Sequence, residues 1–170
     1  MNNPEYAKIV KEEKMKIERA RDKLYTGNSD TTNILFQNNG EMLIGGKTIS
    51  EWNNRWMRLG RLSSLSIEDL TPFNKHIGLY KAEMNGQVVY VGRAIEYNNG
   101  GFRKRLRGYV RDSDSGSTHG SGRKMHGNRD NVVISILIVG DSAEDVGVVK
   151  ALEAAMIAKL NVKWNVPYNS

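Results

Sequence analysis

The chain has 170 residues, of which 39% are hydrophobic, and it carries a formal net charge of +6. This length and composition predict a single domain with a modest core, and the absence of cysteine excludes a disulfide framework and cysteine-ligated zinc. The charged N-terminus lacks the apolar segment of a secretory signal, and no apolar run approaches the roughly 18 residues of a membrane span, so we expect a cytoplasmic protein without a membrane partner.

The first part of the chain, residues 1–77, is expected to form an extension to the domain, built from a helix and a hairpin. Charged residues with a weak apolar periodicity favour the helix, and glycine- and asparagine-rich turns separate the later elements. The predicted elements are a helix at 5–25, a linker at 26–33, a hairpin at 34–49 around Asn38-Asn39-Gly40, a helix from Ser50 to Gly60 and a connection at 61–77.

The second part of the chain, residues 78–170, has a clearer pattern. The apolar, β-branched run at 132–140 is typical of a central strand. The predicted elements are a strand–turn–strand at 78–92, a loop at 94–101, a helix at 102–111, a long polar stretch at 112–131, the strand at 132–140, a helix at 142–160 capped by Asp141 or Ser142, and an extended end. The order β-β-α-β-α predicts an α/β (α+β) fold in which helices flank a central sheet.

Positive charge is concentrated in one segment. Residues 93–129 contain nine Lys and Arg residues against three acidic residues, so the net charge of this segment equals that of the whole chain. A basic patch of this kind usually faces a polyanion, and nucleic acid is the leading candidate. A solvated basic helix without a ligand is the alternative.

The helix at 102–111 combines an apolar side with a candidate anion-binding side. Arg105 and Tyr109 are four residues apart and therefore share a face of this helix. Arginine presents a planar fork of donors to a phosphate and keeps its charge at all relevant pH values. The apolar side comprises Phe102, Leu106, Tyr109 and Val110.

The helix at 142–160 carries a glutamate at an unusual position. The nearest helical neighbours of Glu153 are Val149, Met156 and Ile157. A carboxylate on the apolar side of a helix is uncommon unless it is paired or bound to a metal. A glutamate at the rim of the apolar stripe, reaching water, explains the pattern equally well.

Taken together in this order, the motifs resemble the GIY-YIG nuclease family. The matching residues are Gly-Leu-Tyr at 78–80, Tyr-Val-Gly at 90–92, Arg105 in FRKRLRGYV, Glu153 in LEAAMIAKL and Asn165 in VKWN. The resemblance covers residues 78–165, roughly half of the chain. Two positions depart from the pattern: Tyr109 stands where histidine is frequent, and Val162 stands where proline is frequent.

The resemblance implies hydrolysis of one phosphodiester by water in a single in-line displacement. Tyr80 would act as general base, which requires its pKa to fall from about 10, and Tyr90 would orient water or phosphate. Arg105 would stabilise charge on the phosphoryl oxygens, with Tyr109 and Asn165 completing the set. Glu153 would anchor one divalent cation, Mg²⁺ or Mn²⁺, at the leaving 3′ oxygen.

Both tyrosines can serve one site only if they lie on the same face of the hairpin. A two-residue turn at Asn85-Gly86, which asparagine–glycine favours, would place Tyr80 opposite Val91 and Tyr90 on the other face. A three-residue loop would place Tyr80 directly opposite Tyr90. Function favours the three-residue loop.

We therefore expect a metal-dependent endonuclease that acts on double-stranded DNA, of the restriction type and encoded by a bacterium or phage. The alternatives are a phage, mobile-element or repair nuclease of the same family, or a DNA-binding module without catalysis. Residues 1–77 would serve in oligomerisation, including a homodimer, or in DNA contact. The expected phosphate contacts are Arg93, Lys104, Arg107, Arg111, Arg123 and Lys124.

Overall fold

The computed structural model describes residues 33–111 and 120–165, together with Lys8, Ile9, Lys11, Glu12 and Met15. The five N-terminal positions are helical, in agreement with the predicted helix. The rest of that helix, most of the predicted linker, the start of the polar stretch and the last five residues lie outside the described residues.

From residue 33 onward the described residues form seven strands and five helices. The strands are β1 (Ile34–Phe36), β2 (Met42–Ile44), β3 (Lys47–Thr48), β4 (Met57–Arg61), β5 (Ile77–Met84), β6 (Gln87–Ala94) and β7 (Val133–Gly140). The helices are α1 (Ile49–Asn53), α2 (Ile67–Leu70), α3 (Gly101–Val110), α4 (Gly120–Gly127) and α5 (Val146–Leu160), with short 3₁₀ turns at Leu62–Ser64, Thr71–Phe73 and Ala143–Asp145. The predicted hairpins, the strand at 132–140 and the helices at 102–111 and 142–160 are all present.

The strands form two antiparallel sheets, and the larger one organises the molecule. Strands β1, β2 and β3 form the small sheet, and the large sheet has the order β4-β7-β5-β6. Strand β7 lies inside the large sheet, as predicted, whereas β4 and β6 are its edges. The predicted α/β (α+β) class, with helices flanking a central sheet, is confirmed.

Both faces of the large sheet are buried, so the protein has two apolar cores. On one face Leu79 and Val91 pack with helix α5 and with the small sheet. On the other face Tyr80, Ala82 and Val89 pack with helices α3 and α4. The alternation of side chains along a strand explains why neighbouring residues of β5 belong to different cores.

The β5–β6 hairpin has a two-residue turn followed by a β-bulge. Asn85 and Gly86 have φ values of 54° and 75°, as a type I′ turn requires. Met84 pairs with Gln87, but the register then shifts, so that Ala82 pairs with Tyr90 and Tyr80 with Gly92. The predicted three-residue loop is wrong, because the asparagine–glycine pair adopts the shorter turn. One extra residue in β6 returns Tyr90 to the face of Tyr80.

The helix predicted from Ser50 to Gly60 is wrong in both its cap and its length. Thr48 caps α1 by accepting a hydrogen bond from the backbone of Glu51, and the helix ends at Asn53. Residues 57–61 instead form strand β4 and pair with β7. The asparagines at 53 and 54 are poor helix formers, and pairing with a buried strand outweighs local propensity. Part of residues 1–77 thus belongs to the sheet that carries the predicted core.

Two further elements refine the predictions for the second half of the chain. The polar stretch at 112–131 contains helix α4, which packs beside α3. Ser142 caps the 3₁₀ turn at Ala143–Asp145 through a capping box with Asp145, and α5 begins only afterwards at Val146. In the part of the chain that the structure describes, no helix has both the length and the apolar character needed to cross a membrane.

Candidate active site

Both tyrosine–glycine motifs are explained by close approaches in the large sheet. A Cβ atom added at Gly92 would collide with the phenol ring and hydroxyl of Tyr80, its cross-strand neighbour. A Cβ atom added at Gly78 would collide with the backbone carbonyl of Leu137 on β7. Gly92 therefore makes room for the Tyr80 ring above strand β6, and Gly78 allows β5 and β7 to approach.

Three tyrosines meet above this face of the sheet. Tyr80 comes from β5, Tyr90 from β6 and Tyr109 from helix α3. The Tyr80 ring centroid lies 6.0 Å from that of Tyr90 and 5.9 Å from that of Tyr109. The hydroxyls of Tyr80 and Tyr109 share a short hydrogen bond, and Tyr109 also interacts with the Tyr90 hydroxyl. We call Tyr80, Tyr90 and Tyr109 the tyrosine cluster.

Arg105 lies beside the tyrosine cluster, as the resemblance implies, and it is held by an acidic residue. Its Nη2 donates to Glu96 Oε1 at 2.5 Å. The buried Nε–H of Arg105 has no hydrogen-bond acceptor among the described residues. Burial lowers the pKa of Arg105, but the tyrosines of the cluster and the Glu96 carboxylate raise it by more than burial lowers it. The guanidinium therefore stays charged.

Burial holds the hydroxyls of Tyr80 and Tyr109 in their neutral form. Tyr80 is only 1% exposed, and burial raises its pKa well above the usual value, an effect that Tyr109 and Tyr90 reinforce and Arg105 opposes. Burial and Tyr90 likewise raise the pKa of Tyr109 above its usual value. The fall in the Tyr80 pKa expected for a general base is thus wrong for the protein alone, because desolvation outweighs the arginine charge.

These raised pKa values predict a loss of stability in alkali. A tyrosine whose folded pKa exceeds its unfolded pKa contributes stability that is complete below about pH 10 and declines as the pH rises. For Tyr80 and Tyr109, each pH unit above about 10 should remove about 1.4 kcal/mol per tyrosine from the free energy of unfolding. Urea unfolding between about pH 8 and pH 11 measures this slope. Tyr80→Phe should reduce the slope, and an equal slope in Tyr80→Phe and the wild type would contradict the burial account.

Glu153 lies on helix α5 and binds an arginine of the edge strand. Its Oε2 accepts from Arg93 Nη1 at 2.7 Å, and the Glu153 side chain is 17% exposed. Arg93 shares its strand face with Val91, because alternate residues of a strand point the same way. The Glu153–Arg93 pair is therefore on the α5 side of β6, and the tyrosine cluster is on the α3 side. Both groups border the same edge of the sheet.

Asn165 is occupied by the backbone of β6. Its Oδ1 accepts from the Val91 N–H at 2.9 Å, and its Nδ2 donates to the Val91 carbonyl at 2.6 Å. The neighbouring Trp164 N–H donates to the Val89 carbonyl at 2.8 Å. The chain end thus pairs with the outer edge of β6 beside Tyr90, and we interpret Asn165 as a positioning residue for this strand.

The predicted phosphate-contact residues differ in their surroundings. Arg107 is half-buried and donates to the Leu65 carbonyl at 3.4 Å, so it supports the fold as well. The other predicted contacts are exposed, namely Arg93 on β6, Lys104 on α3, Arg111 at the end of α3, and Arg123 and Lys124 on α4. Helices α3 and α4 are adjacent, which brings most of the basic residues of the segment onto neighbouring elements.

Sequence reasoning missed two residues that organise the site. Glu96 was only one of three acids within a basic segment, and its isolation nine residues before Arg105 is the signal that could have identified it. His126 of α4 binds the Tyr109 carbonyl through Nδ1 at 2.8 Å. Because a carbonyl only accepts, Nδ1 carries the proton there. No sequence pattern indicated this link between α4 and α3.

The arrangement resembles a site for an anionic group, because a charged arginine lies beside three tyrosine hydroxyls. Glu153, whose carboxylate could hold a cation, lies on the other side of the same edge strand. Among the described residues, no three His, Cys, Asp or Glu side chains come together in a cage that could hold a metal ion. A search of protein-family models, of curated proteins and of solved structures finds no match to this chain.

Proposed function

We propose that this protein is a divalent-metal-dependent endonuclease that hydrolyses a phosphodiester bond of double-stranded DNA. The observation that carries the proposal is the meeting of Tyr80, Tyr90, Arg105 and Tyr109 in one cluster. These residues are separated by up to 29 positions in the chain, and all four lie at positions that the motif resemblance assigns to the active site. Four motif residues that converge from β5, β6 and α3 support a shared chemical task more strongly than a chance pairing of amphipathic tyrosines.

The electrostatics of the site support a phosphate substrate. Arg105 keeps its charge, and its side chain is partly exposed, so the guanidinium fork would be able to bind a phosphoryl oxygen. The exposed basic residues of α3 and α4 would contact neighbouring phosphates. A duplex is the form of nucleic acid that brings several phosphates within reach of two adjacent helices.

In the proposed reaction, water attacks phosphorus in line with the 3′ oxygen, which leaves. Tyr90 is half-buried and would orient the water or the phosphate. Tyr80 remains the proposed general base, as the motif resemblance implies, and as a phenolate it would take the proton of the attacking water. Arg105 would stabilise the charge that develops on the phosphoryl oxygens.

Glu153 fits one divalent cation as a single carboxylate anchor. Mg²⁺ commonly takes one or two protein carboxylates and completes its coordination with water and substrate phosphate. A bound Mg²⁺ or Mn²⁺ would supply positive charge at the leaving oxygen and lower the pKa of nearby hydroxyls. Arg93 holds the same carboxylate in the free protein, so we expect phosphate to draw Arg93 away when DNA binds.

The proposal is tested by incubating the purified protein with supercoiled plasmid and Mg²⁺, with a parallel reaction in EDTA. Discrete fragments that require Mg²⁺ support a restriction-type enzyme, and sequencing their ends gives the recognition site. A smear indicates a nuclease without sequence preference, as a phage or repair role would allow. Intact DNA of retarded mobility would favour a binding module and contradict the proposal.

The basic surface predicts strong salt dependence of DNA binding. Each phosphate contact contributes a slope of roughly 0.9 to the plot of log binding constant against log salt concentration. Neutralising Lys104, Arg123 and Lys124 to Gln should lower the slope by up to about 2.7, if all three contact phosphate. The measurement is fluorescence anisotropy of a labelled duplex in EDTA at several salt concentrations. Neutralising Lys47, Lys75 and Lys150 is the matched control, and an unchanged slope in the first variant would show that DNA binds elsewhere.

A further inference from the structure

Glu96 is fixed at both its backbone and its side chain. Its carbonyl oxygen accepts from the Asn99 N–H at 3.1 Å and from the Gly101 N–H at 2.9 Å, where helix α3 begins. Its Oε2 accepts from the Ile95 N–H at 3.1 Å. Its Oε1 is therefore presented in a defined direction, and that atom binds Arg105 Nη2 at 2.5 Å.

The carboxylate and the carbonyl of Glu96 have separable tasks. The carbonyl contacts the start of α3, and any residue at position 96 would keep that contact. The carboxylate holds the far end of Arg105, one helical turn further along α3. The side chains of Arg105 and Glu96 are 39% and 25% exposed, and a pair this open to solvent adds little stability. Stability is therefore a poor explanation for the carboxylate.

Orientation of the Arg105 side chain is a better explanation for the Glu96 carboxylate. An arginine side chain has several rotatable bonds, and the fork of donors must face a phosphoryl oxygen in one orientation to act in the transition state. With Nη2 held by Glu96, the Arg105 guanidinium keeps one orientation beside the tyrosine cluster, while part of the Arg105 side chain stays open to solvent. Glu96 thus fixes the direction in which the solvent-accessible part of the Arg105 fork faces an incoming oxygen.

We propose that Glu96 is a positioning residue for Arg105. This inference rests on the proposed nuclease function and adds to it a residue outside the motifs of the resemblance. Glu96 also offsets part of the Arg105 charge. It therefore orients the guanidinium but weakens the electrostatic attraction of Arg105 for DNA. Removing the carboxylate should therefore slow cleavage and leave DNA binding unchanged or slightly tighter, two effects that general damage to the fold would not combine.

The test is Glu96→Gln, which keeps the size of the side chain and removes its charge. We expect the single-turnover cleavage rate of a bound duplex to fall by about 10- to 100-fold. This loss is smaller than the one usually seen when a transition-state donor is removed outright, because Arg105 itself is still present. The dissociation constant for DNA in EDTA should stay equal or fall, and the thermal midpoint should stay close to that of the wild type. Glu83→Gln is the matched control, because it neutralises the partner of Lys81 in an ion pair on the opposite face of the sheet.

A double-mutant cycle with Arg105→Lys separates positioning from a direct role. If Glu96 acts through the arginine fork, adding Glu96→Gln to Arg105→Lys should lower the rate little further. An equal loss in both backgrounds would overturn the inference, as would a wild-type rate for Glu96→Gln. These outcomes leave the nuclease proposal intact if the wild type cleaves, whereas a wild type that cleaves no duplex with Mg²⁺ removes both proposals.

Discussion

Replacing Glu153 with Gln is expected to abolish most cleavage while leaving DNA binding intact. The change keeps the shape of the side chain and its ability to accept from Arg93, but it deletes the anionic ligand. Metal charge stabilisation is worth several kcal/mol in the transition state, which corresponds to a loss on the order of 10²–10⁴ in rate. The measurement is single-turnover cleavage of a bound duplex over a range of Mg²⁺ concentrations. Full activity of Glu153→Gln at limiting Mg²⁺ would contradict the assignment.

Two controls make the Glu153 result specific. Glu144→Gln makes the same substitution at an exposed position before α5 and should cleave like the wild type. Arg93→Gln opens the Glu153–Arg93 pair from the other side and leaves the carboxylate in place. In the absence of DNA, Arg93→Gln should bind Mn²⁺ more tightly than the wild type, as measured by electron paramagnetic resonance of free Mn²⁺. Equal Mn²⁺ binding by both proteins would show that Arg93 does not compete for this carboxylate.

Tyr80→Phe is expected to slow cleavage by on the order of 10²–10⁴, the usual worth of a positioned acid or base. Because the Tyr80 pKa is raised well above its usual value in the protein alone, only a small fraction is ionised at neutral pH. The wild-type rate should therefore rise with pH from neutral into the alkaline range, and Tyr80→Phe should flatten this rise. Single-turnover rates across that range give both quantities.

Tyr90→Phe is the matched comparison, since it removes a hydroxyl from the same cluster and should cost less. A Tyr80→Phe enzyme with the wild-type rate and pH profile would exclude Tyr80 as the base. A larger loss at Tyr90 would transfer the role to that residue, whose greater exposure makes it more accessible to water. Folding should survive both changes, because each deletes only one oxygen atom.

Local signals predicted much of the fold. The apolar run that became β7, the asparagine–glycine turn and the amphipathic helix α3 all depend on residues close together in the chain, where propensity and periodicity act directly. Strand β4 could not be predicted in this way. Residues 57–61 form a strand because β7, more than 70 residues later, offers them backbone partners, and nothing within the segment encodes that pairing.

In the candidate site, too, local motifs predicted some features, whereas others depend on contacts between distant parts of the chain. The motif order selected Tyr80, Tyr90, Arg105 and Tyr109, and the structure brings them together. The sequence did not predict how far Tyr80 is buried, because its ring occupies the space that a side chain at position 92 would otherwise fill. It also could not pair Glu96 with Arg105, since the geometry of a loop decides which atom reaches the arginine. The bulge in β6 is a third such case: alternation alone would have separated the two tyrosines.

We propose above that the tyrosine cluster and Arg105 form a catalytic centre for phosphodiester hydrolysis. The most direct test is the single-turnover rate of Arg105→Gln on a duplex that the protein binds, with Arg103→Gln, two residues earlier on the same helix, as the control. The proposed catalytic role of Arg105 predicts a loss on the order of 10²–10³ for Arg105→Gln, the usual worth of one donor at a developing charge, with DNA binding largely retained. It predicts a rate close to that of the wild type for Arg103→Gln. Equal rates for the wild type and Arg105→Gln would contradict this role.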